Sequence, residues 1–152
     1  MYLAHHFTAA KPRPPLRRIA DAKPMTPSEY IRLRRLAAQL TEHQLAERMA
    51  ALYVHLNERQ PGQRMLDIAK DMLLTLRQIE GPGATAKRAE TIQHLAAVLP
   101  FDVDVYWQLE QCPPTHHPRV CRGCGTSAHD HDAPRWATRT SCERCDPAGD
   151  GL

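Results

Sequence analysis

Four cysteines near the C-terminal end constrain the fold more than any other feature of the chain. They form two Cys-x-x-Cys pairs, Cys121/Cys124 and Cys142/Cys145, with 17 residues between the pairs. This is the ligand spacing of a structural zinc site, in which each pair forms a tight knuckle and the intervening residues form a hairpin. Gly125 follows the first pair, where the absence of a Cβ lets backbone N–H groups approach the sulfurs. The spacing predicts one Zn²⁺ bound by four cysteines; two redox disulfides are the alternative.

The length and composition indicate a modest helical domain with a metal-stabilised appendix. The chain has 152 residues, of which only 5% are aromatic and 13 are proline, so a single large core is not expected. A module of about 25–30 residues buries too little surface to fold alone, and metal binding supplies the missing folding energy. We therefore predict a mainly α fold followed by a small zinc ribbon.

Capping signals and apolar periodicity predict about five helices. Thr26 with Glu29 and Thr41 with Gln44 form two capping boxes, and Asp102 is a third N-cap. The first helix runs from Pro27 to about Leu40, and the second starts at Glu42 and ends before Pro61-Gly62. The remaining helices are expected at about 64–80, from Lys87 to Leu99 and from Val103 to Glu110.

The helical domain is expected at 25–110, with less regular segments on either side. Residues 1–24 are basic and proline-rich; they predict a disordered arm that follows a phosphate backbone, or an extension ahead of a start at Met25. A proline-rich linker (111–118) leads to the zinc ribbon (119–147) and a disordered tail (148–152). Within the ribbon, Trp136, Thr138 and Thr140 alternate as in a strand. Trp136 is interpreted as a miniature core, with base stacking as the alternative.

Charge and hydropathy indicate a cytoplasmic protein with no membrane partner. The net charge is +3, which is compatible with nucleic acid without arguing for it. No apolar run approaches the roughly 20 residues of a membrane span, and the N-terminus lacks the apolar core of a secretory signal. The cysteines are therefore expected to be reduced or metal-bound.

Residues 26–110 resemble the lambda-repressor-like helix-turn-helix regulators of bacteria and phages. The resemblance is carried by the segments YIRLRR (30–35), LTEHQLA (40–46), LRQIEG (76–81) and LAAVL (95–99). It implies a helix-turn-helix-like bundle in which the helix opening at Thr41 supports a DNA-reading helix. About 20 additional residues, around 51–70, separate these two helices and form an insertion that is a loop, a helix extension or a dimer arm.

The same resemblance implies which residues touch double-stranded DNA. Gln44 would contact the phosphate backbone, and Arg77 and Gln78 would lie on or near the reading face. Arg34 and Arg35 would form a basic face on the first helix. Two of the family's base-contacting positions fall on Leu73 and Leu74, which cannot hydrogen-bond to base edges.

The cysteine segment resembles short zinc-ribbon tails attached to phage-type regulators. It carries five arginines that extend a phosphate contact or mediate contacts with a protein partner: Arg119, Arg122, Arg135, Arg139 and Arg144. His129 and His131 are spare ligands only where a cysteine fails. The fifth cysteine, Cys112, is interpreted as packing against the last helix, with a free reactive thiol as the alternative.

These observations predict a DNA-binding transcriptional regulator of phage or prophage type with an auxiliary structural zinc. The alternative is a protein-interaction adaptor or homodimer built on Leu73 and Leu74 of the apolar 64–80 helix, with the ribbon docking a second protein. No enzyme signature is present: there is no phosphate-binding glycine loop and no hydrolase motif. Four cysteines also close the coordination position that a hydrolytic zinc leaves open to water.

Overall fold

The structure is a computed structural model that describes residues 23–56 and 60–146. Its elements are five α-helices and one short 3-10 turn, which confirms the prediction of a mainly helical chain. They are α1 (Pro27–Ala37), α2 (Glu42–His55), α3 (Met65–Ile79), α4 (Ala89–Val98), α5 (Val103–Gln111) and the turn Pro114–His116. The predictions of disorder for 1–24 and 148–152 concern residues that, except for Lys23 and Pro24, lie outside the described part.

Both predicted capping boxes are present and set the starts of α1 and α2. The Thr26 hydroxyl accepts a hydrogen bond from the Glu29 N–H at 3.2 Å, and the Glu29 carboxylate accepts one from the Thr26 N–H at 2.9 Å. Thr41 and Gln44 repeat the arrangement at 3.2 and 2.9 Å. Each cap contributes about 1 kcal/mol to helix stability. Gln39, in the left-handed region at φ 57°, turns the chain sharply between the two helices.

Helices α2 and α3 form an antiparallel hairpin, the most extensive helix pair among the described elements. At one end, Arg77 Nε lies 2.9 Å from Glu42 Oε2, which joins the C-terminal end of α3 to the N-terminal end of α2. At the other end, α2 ends at His55 and α3 begins at Met65, so residues 56–64 are the connection, of which 57–59 lie outside the described part. The predicted 51–70 insertion is therefore the last turn of α2, this connection and the first turns of α3.

Two buried tyrosines organise the core of the helical unit. The Tyr30 hydroxyl accepts a hydrogen bond from the Asp102 N–H at 3.1 Å, and the Tyr106 hydroxyl accepts one from the Ala86 N–H at 2.8 Å. Phe101 lies between the two rings, with centroid distances of 4.9 and 5.9 Å. Aliphatic side chains from every helix surround them: Ile31, Leu45, Met49, Leu76, Ile92, Leu95, Val105 and Leu109. A chain with few aromatic residues thus uses two of them to fix loops as well as to fill the core.

The buried Tyr30 phenol predicts a loss of stability in alkali. Burial raises its pKa from 10.0 to about 12, against the lowering effects of the Asp102 N–H bond and the Arg34 charge. The unfolded chain then releases this proton first, so the free energy of unfolding falls as pH rises between about 10 and about 12. We expect Tyr30→Phe to be less stable at pH 8 by about 1 kcal/mol, for the lost hydrogen bond, but to lose less stability over that window.

Urea unfolding at pH 8 and pH 11 measures both effects. Burial also raises the pKa of Tyr106, which the variant retains. The stability of the variant should therefore still depend on pH to a smaller extent. An equal loss of stability from pH 8 to pH 11 in the two proteins would contradict the role given to Tyr30.

The cysteine module (119–146) is held by turns and two isolated bridges. The antiparallel bridges pair Val120 with Ser127 and Trp136 with Cys142, and the described part of the chain has no strand. The predicted strand through Trp136, Thr138 and Thr140 is therefore wrong, and so is the full β-hairpin of a ribbon. The cause is local: the Thr138 hydroxyl accepts hydrogen bonds from the N–H groups of Thr140 and Ser141 at 3.2 and 2.9 Å, which bends the backbone.

No helix in 23–56 or 60–146 has the length and apolar character needed to cross a membrane.

Candidate metal centre and candidate DNA-contact residues

The four cysteines of the predicted site meet at one point. Their sulfur atoms all lie within 4.8 Å of one another, and Cys124 Sγ is 3.7 Å from Cys142 Sγ. Two thiolates bound to one tetrahedral zinc at about 2.3 Å are about 3.8 Å apart, so this spacing matches a shared ion. All five cysteines are free, and the disulfide alternative is not the arrangement found. The group can therefore hold one metal ion.

Backbone N–H groups point at the innermost sulfur, as expected of a cysteine knuckle. The N–H groups of Gly123 and Cys142 each approach Cys121 Sγ at 3.4 Å, and the Cys121 and Cys142 residues are completely buried. Burial by itself raises the pKa of Cys121, but the surrounding N–H groups outweigh it and lower the pKa to about 7. The thiolate, which is the metal-binding form, is thus stabilised before any ion arrives.

The other sulfurs are crowded in a way that a cation would relieve. Desolvation raises the pKa of Cys145, and the neighbouring Cys124 and Cys121 sulfurs raise it further. The pKa of Cys142 is also raised, first by burial. A divalent cation held by the four cysteines would neutralise this repulsion and favour the deprotonated thiolates. Four thiolates fill a tetrahedral shell, so the site has a structural character and leaves no position for substrate.

Gly123, which the sequence analysis did not single out, makes room for the fourth sulfur. A Cβ at this position would lie 2.7 Å from both Cβ and Sγ of Cys145. Gly125, at φ 73°, instead lets the chain pass close to α1, since a Cβ there would lie 3.1 Å from Leu33 Cβ and 3.0 Å from Arg34 Cδ. The sequence signal for this role of Gly123 was its position between Cys121 and Cys124, inside the Cys-x-x-Cys knuckle.

The remaining predicted ligands lie outside the cluster. His131 Nδ1 is 3.1 Å from Asp132 Oδ1, and both side chains are almost fully exposed. His129 is also exposed. Cys112 is half-buried at the end of α5, and its carbonyl oxygen is 2.9 Å from His117 Nε2. The metal candidate therefore consists of the four predicted cysteines alone.

Arg34 joins the cysteine module to the helical unit. Its Nη1 lies 2.9 Å from Asp130 Oδ2 and 3.2 Å from Thr126 Oγ1, and its Nε donates to the Pro100 carbonyl. The Thr126 hydroxyl also contacts Cys124 Sγ at 3.2 Å, so one residue separates Arg34 from a metal ligand. Only 10% of the Arg34 side chain is exposed. This predicted DNA-contact residue is thus engaged within the protein.

Arg35, the second predicted contact on α1, is buried. Its Nε and Nη2 donate to the two carboxylate oxygens of Glu80 at 2.7 and 2.6 Å, and its Nη1 donates to the Leu40 carbonyl at 3.0 Å. All three nitrogens are used, and the residue is 6% exposed. Its guanidinium therefore cannot reach a phosphate while the bundle is folded.

The other three predicted contacts lie on the surface at one end of the α2–α3 hairpin. Gln44, Arg77 and Gln78 are all exposed, and the Arg77–Glu42 pair holds the two helix ends together.

Sequence reasoning missed Lys87 and Arg88, which are exposed just before α4. Arg88 lines a cavity between α2, α3 and α4 together with Thr75 of α3. A pair of adjacent basic residues ahead of a helix was the signal for them.

The two leucines assigned to an interface differ in exposure. Leu74 is 58% exposed, whereas Leu73 is half-buried. Leu66, two turns earlier on α3, is 61% exposed, and Met65 beside it is 43% exposed. The apolar surface of α3 is therefore centred on Leu66 and Leu74 and lies nearer the 56–64 connection than Arg77 does.

Comparison with known proteins adds no assignment to this geometry. The chain matches no protein-family model, no curated protein and no solved structure. Its function is therefore inferred from its own residues and contacts.

Proposed function

We propose that the protein is a DNA-binding transcriptional regulator of phage or prophage type whose helical unit docks on a duplex through one end of the α2–α3 hairpin. One observation carries the proposal: Gln44, Arg77 and Gln78 are exposed together where the N-terminus of α2 meets the C-terminus of α3. A helix N-terminus and a guanidinium both favour phosphate oxygens, and an amide side chain can pair with a base edge. The resemblance of residues 26–110 to helix-turn-helix regulators supports the same surface.

The ion pair at this end does not block DNA. Half of the Arg77 side chain and a third of the Glu42 side chain are exposed, so the pair contributes between about 0 and 1 kcal/mol. Arg77 lowers the pKa of Glu42 through their hydrogen bond, which keeps the carboxylate charged. A phosphate that replaces Glu42 as the partner of Arg77 therefore displaces a weak ion pair, and the charged Glu42 carboxylate then lies close to it and opposes its binding.

The charge of the helical unit limits how it binds. Between residues 25 and 110, acidic residues slightly outnumber basic ones. A neutral unit has little non-specific affinity for a polyanion, so its binding depends on a few placed contacts rather than on an overall field. We expect the salt dependence contributed by this unit to correspond to one or two phosphates.

The bound metal in this proposal is zinc, with a structural role. Four thiolates form a soft ligand set that suits Zn²⁺, and the closed shell gives the ion no reactive position. Its contribution is to fold the cysteine module and, through Thr126 and Arg34, to hold that module against α1. Elemental analysis of purified protein tests the identity: one zinc per chain is expected.

Fluorescence anisotropy with the zinc-loaded protein tests the DNA proposal. The probes are a random duplex and the DNA upstream of the coding sequence, each at several salt concentrations. Arg77→Ala and Gln78→Ala are expected to weaken binding to the preferred duplex at least fivefold. Arg64→Ala is the matched control, because Arg64, the residue just before α3, is also an exposed arginine paired with a carboxylate, Asp67, but at the opposite end of the hairpin. Equal affinities of the Arg77 and Arg64 variants would refute the docking end.

The exposed apolar surface of α3 favours a second candidate function, a protein-interaction adaptor or homodimer. Leu66 and Leu74 are each more than half exposed, and their burial against a partner would favour association. Sedimentation equilibrium distinguishes the two candidates. A dimer dissociated by Leu74→Asp supports this surface, whereas a monomer at high concentration removes self-association.

A further inference from the structure

A groove between the two units carries a concentrated positive charge. It has a volume of about 880 Å³ and lies between the segment at Pro24, the 111–118 linker and the cysteine module. Arg119, Arg122 and Arg139 line it, and among the described residues no carboxylate does. Thr115 and Thr140 also line it. The wall thus offers hydrogen-bond donors and positive charge, which is the chemistry of an anion site.

These three arginines differ from most of those in the helical unit. Arg34, Arg35, Arg64 and Arg77 each have a carboxylate within ion-pair distance. Across the described residues, none is found at that distance from the three arginines of the groove. Their charges repel one another, and no carboxylate of the described residues competes with an anion for them.

Two of the three guanidinium groups, those of Arg119 and Arg122, are held in place before any ligand binds. Arg119 stacks on the Trp136 ring at 4.2 Å and donates to the Arg139 and Thr138 carbonyls at 3.1 and 2.6 Å, which leaves Nη1 for a ligand. Arg122 donates through Nη2 to the Lys23 carbonyl. Fixing a long side chain in advance removes an entropic cost of binding. The half-buried Trp136 serves mainly as the platform for Arg119.

The backbone around the groove favours a phosphodiester over a peptide. Pro24, Pro114 and Pro118 line it, and proline has no N–H group to pair with a peptide strand. Recognition is left to arginine side chains, whose planar forks fit phosphate oxygens. The chain leading to Pro24 carries five more basic residues, at positions 11, 13, 17, 18 and 23, and one acidic residue, at position 21. A long polyanion can use these charges, whereas a single free phosphate cannot.

We propose that this groove binds the phosphate backbone of a nucleic acid, independently of the α2–α3 end. The groove goes beyond the proposed function because it shares no residue with the α2–α3 end, is sequence-independent, and supplies the positive charge that the helical unit lacks. Removing the groove contacts should lower the affinity for all duplexes by the same factor. Loss of Arg77 or Gln78 should instead change the preference between duplexes. Failure of one proposal is therefore distinguishable from failure of the other.

The test measures binding of a random 20-base-pair duplex by anisotropy between 50 and 200 mM salt. The double variant Arg122→Gln/Arg139→Gln is expected to bind at least tenfold more weakly at 50 mM and to lower the slope of log K against log salt by about 2. Arg119 is left intact because its hydrogen bonds support the module. The matched control is Arg135→Gln/Arg144→Gln, which removes the same charge from exposed arginines of the module that do not line the groove. It should stay within twofold of the wild type.

Three outcomes would overturn the proposal. Equal losses in the two double variants would show a general charge effect rather than a site. No loss in the groove variant, with zinc content and melting temperature unchanged, would show that the groove does not contact DNA. Saturable binding of inorganic phosphate or poly-glutamate that is lost in the groove variant, while duplex affinity is kept, would assign the groove to a free anion or an acidic peptide.

Discussion

Replacing Cys142 with serine is expected to abolish metal binding and to unfold residues 119–146 while the five helices stay folded. Cys142 is completely buried, contributes one sulfur and donates its N–H to a second sulfur, that of Cys121. Apart from its cysteines, the module buries little apolar surface, chiefly Val120. Structural zinc contributes about 10–16 kcal/mol in small metal-dependent modules, far more than this surface supplies.

Metal analysis and amide hydrogen exchange measure the two parts of this prediction. In Cys142→Ser, the metal content should fall from one per chain to near zero and amides of the module should lose protection, with far-UV circular dichroism nearly unchanged. Cys112→Ser is the control, because Cys112 is a free cysteine outside the cluster and its loss should leave the metal in place. A Cys142→Ser protein that keeps one equivalent of metal would contradict the ligand assignment.

Unfolding of the cysteine module should also destabilise the helical unit, because Arg34 and Val120 connect the two. Arg34 loses Thr126 and Asp130 as partners, and Val120 leaves the hydrophobic core that it shares with the helices. We therefore expect chelation of the wild-type protein to lower the melting temperature of the helical unit by several degrees. Arg34→Ala should reproduce most of that shift without removing the metal.

What the sequence predicted well depends on signals a few residues apart. The capping boxes at Thr26 and Thr41 and the N-cap at Asp102 satisfy backbone groups of their own first turn, so their pattern fixes where α1, α2 and α5 begin. The cysteine pairs are equally local, since each knuckle is a single turn. The mainly α fold and the composition of the metal cluster followed from these signals.

What the sequence could not show depends on partners far away in the chain. Arg35 meets Glu80 across 45 residues, and Arg34 meets Thr126 across 92. Helical periodicity says which face a residue occupies but not which element covers that face, so both arginines looked available for DNA. The strand prediction at 136–140 failed for a different reason: alternation does not show that the Thr138 hydroxyl will capture two backbone N–H groups.

Arg35→Ala is expected to destabilise the helical unit by about 3–5 kcal/mol, the usual cost of leaving one member of a buried ion pair alone. Both side chains of the Arg35–Glu80 pair are 7% exposed, so water cannot replace the lost partner of Glu80. The Leu40 carbonyl, at the turn between α1 and α2, also loses its guanidinium donor. The free energy of unfolding of a domain of this size is about 5–15 kcal/mol, so the substitution removes a large share of it.

Urea unfolding of the full-length protein, followed by circular dichroism at 222 nm, gives the free energies needed. Arg77→Ala is the matched control: it breaks an arginine–glutamate pair between helices that is exposed, and it should cost less than about 1 kcal/mol. Equal losses of unfolding free energy in the two variants would show that the burial of an ion pair does not determine how much its removal destabilises the protein.

The double variant Arg35→Met/Glu80→Leu separates the energy of the pair from the penalty of an orphaned charge. Well-packed apolar residues remove both charges, so most of the loss in Arg35→Ala should be recovered if that loss is a desolvation penalty. The pair ties α1 to the end of α3, which fixes where Arg77 and Gln78 stand relative to Gln44. If the double variant is stable but binds its preferred duplex more weakly than wild type, the pair positions the proposed DNA-contact end. If its binding is unchanged, apolar packing alone positions that end.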